Sequence, residues 1–250
     1  MDKTVLGLFA HPDDVELMCA GTLSLLKKAG WNIHIATMTP GDKGTAELTC
    51  GEISIIRRAE ATKGADLLDG TYHCLECDDV YILYDRDTIN KATALIREVK
   101  PTIVITASPN DYMIDHEMTS LVAQTACFGA GIKNMETHGE PFGMVPYLYY
   151  VDPMEGKDKF GIPVIPNFYV DISSEIAIKE EMLSCHASQR EWLRKHHKMD
   201  QYIIAMKQFA RKRGEEIGAQ YAEGFRQHLG HGYPQNNIIK EIIGEFVVTK

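Results

Sequence analysis

Residues 4–10, TVLGLFA, form a continuous apolar run that ends directly at HPDD, residues 11–14. An apolar run of this length is typical of a central parallel strand that is buried on both faces. The apolar spacing over residues 15–29 predicts a helix, and Gly30 follows at the position where a C-cap glycine is common. A strand, a polar loop and a helix in this order predict the first unit of an α/β fold.

The same alternation continues along the chain. Residues 32–38, 72–76 and 102–107 are predicted to be strands, and residues 52–66 and 87–99 are predicted to be helices. This order predicts a mostly parallel sheet with helices on both faces and right-handed crossovers. The expected fold class is therefore a layered α/β sandwich.

The C-terminal part, residues 145–250, is less regular. Residues 147–151 and 168–172 are predicted to be strands, and residues 174–213 are predicted to be largely helical. We find no linker long enough to separate two independent folding units. The sequence therefore predicts one domain over residues 1–250.

Composition and charge exclude several classes of protein. The chain has 250 residues, of which 44% are hydrophobic and 24% charged, as in ordinary globular proteins. Its net charge of −9 argues against a nucleic-acid partner, because phosphate binding needs clustered cations. No apolar run approaches the roughly 20 residues of a membrane helix. Six cysteines and no recognisable signal peptide predict reduced thiols and a cytoplasmic location.

Two polar clusters follow predicted strands. His11, Asp13 and Asp14 come directly after the first strand, and Asp115 and His116 follow a later strand after a short loop. Ligands of open α/β sheets bind outside the carboxyl ends of the strands. If the two strands are neighbours, His11, Asp14 and His116 come together at this edge of the sheet.

Two imidazoles and one carboxylate with an open fourth position are the ligands of a catalytic zinc site. Ferrous iron could fill the same site. Zinc lowers the pKa of water to about 7, and Asp13 is the predicted general base beside it. An aspartate pair after a strand is also a common helix N-cap, so these residues alone leave both interpretations open.

Several motifs resemble those of the PIG-L/LmbE-like deacetylases. AHPDDVELMCAGTL at residues 10–23 is similar to the opening of that family, and IRRAEA at residues 56–61 is similar to its R-x-x-E-A helix. CHASQ at residues 185–189 and YAEGF at residues 221–225 are similar to two later family elements. Members of the family are zinc-dependent and remove N-acetyl groups from N-acetylglucosaminyl compounds and related acylated amines.

The resemblance implies a Rossmann-like three-layer α/β/α sandwich and a role for each matched residue. Zinc is expected on His11, Asp14 and His116, with Asp13 as general base and Arg57 in contact with substrate. The expected activity is removal of an N-acetyl group from a small amino sugar or its glycoside. The alternatives are a weakly active or non-catalytic sugar-binding relative, and a zinc amidase or esterase for a non-sugar acyl substrate.

One departure from the family concerns the proton donor. The family usually has H-P-D-H in the second cluster, whereas this chain has Met113 at the position of the first histidine. A methionine cannot donate a proton to a leaving amine. Asp115, in the same cluster, is expected either to orient a histidine or to cap a helix.

A Gly-rich loop at residues 228–234 carries two histidines that could replace the missing one. We predict that His228 or His231 reaches the metal site, from its own subunit or from a neighbouring one in a homo-oligomer. The alternative is an exposed loop without a catalytic role, in which case a water molecule or Tyr112 is the next candidate acid.

Glu16 is expected to brace the loop after the first strand, with contact to substrate as the alternative. Asp42 and Lys43 are expected in a solvated turn, with binding of substrate hydroxyls as the alternative. His186 and Gln189 are expected to be structural, and the pair His196 and His197 is expected on a solvated helix face.

Overall fold

The computed structural model describes residues 3–190 and 201–249, so His196 and His197 lie outside the described residues. The described strands are β1 (Thr4–Phe9), β2 (Asn32–Thr37), β3 (Thr71–Cys74), β4 (Ile103–Thr106), β5 (Tyr147–Val151), β6 (Phe168–Asp171), β7 (Ala222–Gln227) and β8 (Val247–Thr249). The described α-helices are α1 (Asp14–Met18), α2 (Ala20–Lys28), α3 (Cys50–Asp66), α4 (Arg86–Val99), α5 (Ile114–Gly129), α6 (Ile176–Ser184), α7 (Gln201–Glu215) and α8 (Ile238–Ile243).

These strands form one sheet in the order β3-β2-β1-β4-β5-β7-β6-β8. The first five strands of that order are mutually parallel. The prediction of a mostly parallel sheet is only partly correct, because β7 runs antiparallel to β5 and β6, and β8 runs antiparallel to β6. The sheet is therefore mixed.

Strand β7 was not predicted from the sequence, because it is not an apolar run. Its Glu223 is buried and accepts hydrogen bonds from the backbone of Gly21 and Thr22. The same carboxylate pairs with the buried Lys179 of α6 at 2.5 Å. A buried charge is stable only when it is paired and hydrogen-bonded, and here the partners come from distant parts of the chain.

The predicted helix over residues 15–29 is present as two helices. Cys19 separates α1 from α2 with a non-helical backbone at φ −144°. Gly30 follows α2 with φ +83°, in agreement with its expected place after the helix. Helix α5 was not predicted, although it carries one of the expected metal ligands.

The core lies on both faces of the sheet, which makes the fold a three-layer sandwich as expected. Alternate residues of β1 point to opposite faces, with Val5 and Phe9 on one face and Leu6 and Leu8 on the other. Helices α4 and α5 cover the face of Leu6, and α2 and α6 pack against the face of Phe9. Burial of each such side chain contributes about 1.5–3 kcal/mol.

Two features of this architecture bear on function. Since β1 and β4 are adjacent and parallel, their carboxyl ends lie at the same edge of the sheet. The loops after these strands therefore meet there.

None of the helices in the described ranges is long and apolar enough to cross a membrane.

Candidate metal centre

The structure brings the three expected ligands together at the carboxyl ends of β1 and β4. His11 lies in the loop after β1, Asp14 begins α1, and His116 lies in the first turn of α5. Their candidate ligand atoms lie within 4.8 Å of one another, and all three residues are mostly buried. The Asp14 carboxylate lies between the rings, 3.4 Å from His11 Nδ1 and 3.4 Å from His116 Nε2.

The tight turn between β1 and α1 sets this geometry. The backbone N–H of His11 donates to Asp14 Oδ2 at 2.8 Å, which fixes the carboxylate against the end of the strand. Asp13 has φ +104°, a left-handed conformation that is strained for a residue with a side chain. Such strain is often found at functional sites, where the surrounding structure maintains it.

Each imidazole directs its second nitrogen toward a carboxylate. His116 Nδ1 lies 3.1 Å from Asp111 Oδ1, and His11 Nε2 lies 3.1 Å from Asp79 Oδ1 and 3.3 Å from Asp115 Oδ2. Metal-ligating histidines typically donate their other ring N–H to such a carboxylate, which fixes the tautomer and the ring orientation. The free nitrogens, His11 Nδ1 and His116 Nε2, therefore face Asp14.

Asp115 itself is held in place by the backbone. Its Oδ2 accepts a hydrogen bond from Val80 N at 2.7 Å. The residue before α5 is Met113, and no side chain caps that helix. Of the two roles expected for Asp115, the structure places it against His11 and does not place it as the N-cap.

The charges of the group favour a bound cation. Burial would lower the pKa of His116, but the carboxylates of Asp14 and Asp111 raise that pKa to about 10. Burial is likewise outweighed at His11, whose pKa is raised well above its ordinary value by hydrogen bonds to neighbouring carboxylates. Burial would raise the pKa of Asp14, yet the two imidazoles keep it well below its ordinary value. An excess of buried carboxylates around two nitrogen ligands fits a divalent metal ion.

The Asp13 carboxylate belongs to a second buried group next to the three ligands. Its Oδ2 accepts a hydrogen bond from the hydroxyl of Tyr202 in α7 and lies 3.5 Å from Arg57 Nη2. Burial raises the pKa of Asp13, although Arg57 opposes that effect. The result is a carboxylate with a raised pKa beside the metal ligands.

Arg57 in α3 holds the loop that carries Asp13. Its Nη2 donates to the carbonyl of Pro12 at 2.7 Å, and its Nη1 donates to the carbonyl of Gly41 at 3.2 Å. The side chain is buried. A β-carbon at Gly41, which has φ +70°, would collide with the guanidinium group. The contacts shown for Arg57 are therefore with the loop.

Three other polar residues brace the same region. Glu16 Oε1 lies 3.3 Å from His186 Nε2, and both side chains are fully buried. Gln189 Nε2 donates to the carbonyl of Gly44 at 2.9 Å. These positions agree with the structural roles expected for Glu16, His186 and Gln189.

The expectation of a solvated turn at Asp42 is wrong. Asp42 is buried, and its Oδ1 accepts a hydrogen bond from Asp79 N at 2.9 Å. Lys43 pairs with Asp42, and its backbone N–H donates to Asp79 Oδ2 at 3.3 Å. The turn thus supports the Asp79 carboxylate that faces His11. A polar pair in a Gly-containing loop gives no sequence signal for this burial.

His228 and His231 are not brought to the metal ligands within one chain. The backbone N–H of His228 donates to the carbonyl of Leu148 in β5, and its Nδ1 lies 2.9 Å from the Tyr150 hydroxyl. Leu148 is paired with Val104 near the amino end of β4, whereas the ligands follow the carboxyl ends. His231 is exposed in the adjoining turn. The antiparallel direction of β7 carries this loop away from the site.

Three residues around the ligands were not given a role from the sequence. Asp79 and Asp111 face the two histidines, and Tyr202 contacts Asp13. Tyr112, the next candidate acid after the two loop histidines, packs edge-on against His116 with ring centroids 5.5 Å apart. Asp111 and Tyr112 adjoin the second cluster, so the motif indicated their position. Asp79 and Tyr202 come from separate loops and helices, and no local pattern indicates them.

The chain is similar to several known proteins. The PIG-L family model, described as GlcNAc-PI de-N-acetylase, matches residues 6–127. An uncharacterized deacetylase of Escherichia coli, YaiS, is 30% identical over 133 residues, which cover 50% of this chain and 68% of that protein. The chain belongs to the PIG-L family.

Other relatives match most of the chain. Diacetylchitobiose deacetylase of Thermococcus kodakarensis is 26% identical over 230 residues, or 90% of this chain and 82% of that protein. The structure of N,N'-diacetylchitobiose deacetylase from Pyrococcus horikoshii superposes with a TM-score of 0.77 at 25% identity, covering 94% of this chain and 88% of that one. The 4-oxalmesaconate hydratase of Pseudomonas putida is 25% identical over 195 residues, or 75% of this chain and 74% of that protein.

Proposed function

We propose that the protein is a metal-dependent hydrolase that removes the N-acetyl group from a small amino sugar or its glycoside. The observation that carries this proposal is the arrangement of His11, Asp14 and His116 around one space, with Asp13 beside them. Deacetylases among the relatives support the reaction, since those of T. kodakarensis and P. horikoshii are named for diacetylchitobiose.

The metal in this proposal is zinc, with ferrous iron as the alternative. Two imidazoles and one carboxylate with room for further ligands suit either ion. A bound divalent ion would supply Lewis acidity, which polarises a carbonyl group and makes water acidic near neutral pH.

Asp13 is the proposed general base. Burial raises its pKa, and a stronger base accepts a proton from water more readily. Tyr202 and Arg57 contact the same carboxylate oxygen and so orient it. In this proposal Arg57 acts by positioning Asp13, and its contact with substrate, expected from the resemblance, stays a prediction.

The leaving amine must receive a proton, and Met113 cannot provide one. Tyr112 is the proposed donor within the same chain, because its ring contacts His116 and its side chain borders the cleft beside the ligands. His228 or His231 could act there only from a neighbouring subunit of a homo-oligomer. Alanine variants of both histidines and the Tyr112→Phe variant separate these proposals. Removal of the residue that donates the proton should lower kcat by roughly 10²–10⁴-fold.

The proposed setting is the cytoplasm. All six cysteines are free thiols, as is typical of proteins in a reducing compartment. The proposed partner is a small N-acetylated sugar or a related amide. A nucleic-acid partner is not proposed.

The test is acetate release from a panel of N-acetylated sugars that includes N,N'-diacetylchitobiose and N-acetylglucosamine, with zinc-loaded or iron-loaded protein. We expect acetate and free amine in equal amounts from at least one sugar, and loss of both in Asp13→Asn. Release from non-sugar amides alone would instead favour a general amidase.

A second candidate is a metal-dependent hydratase. It is favoured by the similarity to 4-oxalmesaconate hydratase together with Met113, since adding water to a double bond releases no amine. Incubation with 4-oxalmesaconate distinguishes the two candidates. Loss of its conjugated absorbance without acetate release from any sugar would favour the hydratase.

A further inference from the structure

A narrow cleft opens beside the metal ligands. Asp14, His116 and Tyr112 border it. The volume that the centre of a water molecule can occupy in this cleft is about 20 Å³. That space is enough for about one water molecule. Its walls are mostly apolar and include Phe9, Leu17, Met18, Ala107 and Val151.

Asp152 is a polar group of this cleft to which the proposed reaction gives no role. It follows β5 directly and is almost completely buried. Its Oδ2 accepts a hydrogen bond from Arg213 Nε at 2.7 Å and packs against Gly224, where an added β-carbon would collide with it. Burial raises the pKa of Asp152 to about 6, against the opposing effect of Arg213.

The other oxygen, Asp152 Oδ1, has no hydrogen-bond partner among the residues in the described ranges. A buried carboxylate oxygen without a hydrogen-bond donor is unfavourable. The second oxygen is already fixed by Arg213, so the side chain cannot rotate to pair both. Among the described residues, Asp152 Oδ1 is thus a buried acceptor that is available to a hydrogen-bond donor on a bound molecule.

The size of the cleft decides what can enter it. A sugar ring is far larger than one water molecule, so the sugar must remain outside. A carbonyl carbon beside the metal ligands would place only the small end of its acyl group in the cleft. The apolar walls can pack against a methyl or methylene group. Asp152 can accept a hydrogen bond from a donor attached to the far side of that group.

We propose that this cleft binds the acyl group of the substrate, and that Asp152 Oδ1 accepts a hydrogen bond from a hydroxyl group at its end. The substrate class is then an amino sugar with a hydroxyacetyl group on nitrogen, processed in preference to the propionyl analogue of the same size. This inference rests on the proposed N-acyl hydrolase function.

The preference follows from the unpaired oxygen. A hydroxyacetyl group can donate a hydrogen bond to Asp152 Oδ1 from its own hydroxyl. A propionyl group of the same size places a methyl group there and leaves the oxygen unpaired. Sites built around such a hydrogen bond discriminate strongly against analogues that lack the donor. An acetyl group is shorter and leaves room for a water molecule, so its kcat/KM is expected to lie between those of the other two substrates.

The experiment compares kcat/KM for N-hydroxyacetyl-, N-acetyl- and N-propionyl-glucosamine with metal-loaded protein. We expect the hydroxyacetyl substrate to exceed the propionyl substrate by about tenfold or more. Equal values, or a preference for propionyl, would overturn the inference while leaving the hydrolase function intact.

A double variant tests the residue directly. Asp152→Leu combined with Arg213→Met replaces the buried pair by apolar side chains and avoids leaving a lone buried charge. Its thermal unfolding shows whether it is folded. In the folded double variant the ratio of hydroxyacetyl to propionyl should fall to about one, because no acceptor remains. An unchanged ratio would contradict the role of Asp152.

A binding measurement separates this inference from the proposed function. If none of the three substrates is hydrolysed, the hydrolase proposal fails. Calorimetric titration with hydroxyacetate and propionate then still tests the cleft. Tighter binding of hydroxyacetate, lost in the double variant, supports the acceptor role of Asp152, and equal binding of the two acids overturns it.

Discussion

His116 Nδ1 lies 3.1 Å from Asp111 Oδ1, so the opposite ring nitrogen faces Asp14. Asp111 is itself held, since its backbone N–H donates to the buried Glu117 Oε1 at 3.2 Å and Glu117 pairs with Lys159. This chain of contacts fixes the orientation of a proposed metal ligand. Its removal should weaken metal binding without removing a ligand.

Asp111→Ala should lower the affinity for zinc by roughly 10–100-fold, because His116 loses the carboxylate that orients it. The affinity is measured by competition with a chelating indicator. Asp66→Asn, an exposed site at the end of α3, is the control and should bind zinc as the wild type does. Wild-type affinity in Asp111→Ala would show that Asp111 does not orient the ligand.

Tyr202→Phe tests how Asp13 is positioned. The variant keeps the ring but removes the hydroxyl that donates to Asp13. We expect kcat to fall by about tenfold, less than the roughly 10²–10⁴-fold loss expected for Asp13→Asn, with the metal content unchanged in both. A Tyr202→Phe enzyme with wild-type kcat over the whole pH profile would exclude this positioning role.

Gly41→Ala tests the packing of Arg57 against the active-site loop. The new methyl group would collide with the guanidinium group, and φ +70° disfavours any side chain. We expect a loss of about 1–3 kcal/mol in the free energy of unfolding, measured by urea denaturation. Gly51→Ala is the matched control, because nothing lies within 4 Å of its added β-carbon. Equal stability of the two variants would argue against the tight contact.

The pair His34 and His73 should make stability depend on pH. Their ring nitrogens lie 2.9 Å apart, and burial lowers the pKa of both, with mutual repulsion adding to the effect at His34. At these two residues the folded protein therefore binds fewer protons than the unfolded chain as pH falls through about 6.5, so the pair's contribution to the free energy of unfolding decreases there.

We expect His73→Gln to show a smaller decrease in Tm than the wild type between about pH 7.5 and pH 5.5. Other histidines also affect how Tm depends on pH, so the difference between variant and wild type is the relevant quantity. His138→Gln, at an exposed position, serves as control. A decrease in His73→Gln as large as that of the wild type would contradict the prediction.

The parts of the fold that follow local patterns could be predicted from the sequence. The apolar run before HPDD gave β1, and β5 has the predicted bounds Tyr147–Val151. Strand β7 could not be predicted, because its stability depends on the pairing of Glu223 with Lys179 from a distant helix. That strand also makes the sheet mixed.

The site divides in the same way. His11 and Asp14 are three residues apart, and His116 was expected beside them on the condition that β1 and β4 are neighbours, as the structure shows them to be. Tyr202 and Asp79 could not be expected, because their contacts arise only when separate loops and helices pack together. The prediction for His228 depended on where its loop ends, which the direction of β7 determines.

Acetate release from N,N'-diacetylchitobiose, measured together with metal content for wild type and Asp13→Asn, tests the central claim most directly. We expect wild type to bind about one metal ion per chain and to release acetate, and Asp13→Asn to bind the metal but release none. Metal-loaded wild type that releases no acetate from any sugar, or an Asp13→Asn variant with wild-type turnover, would contradict the account.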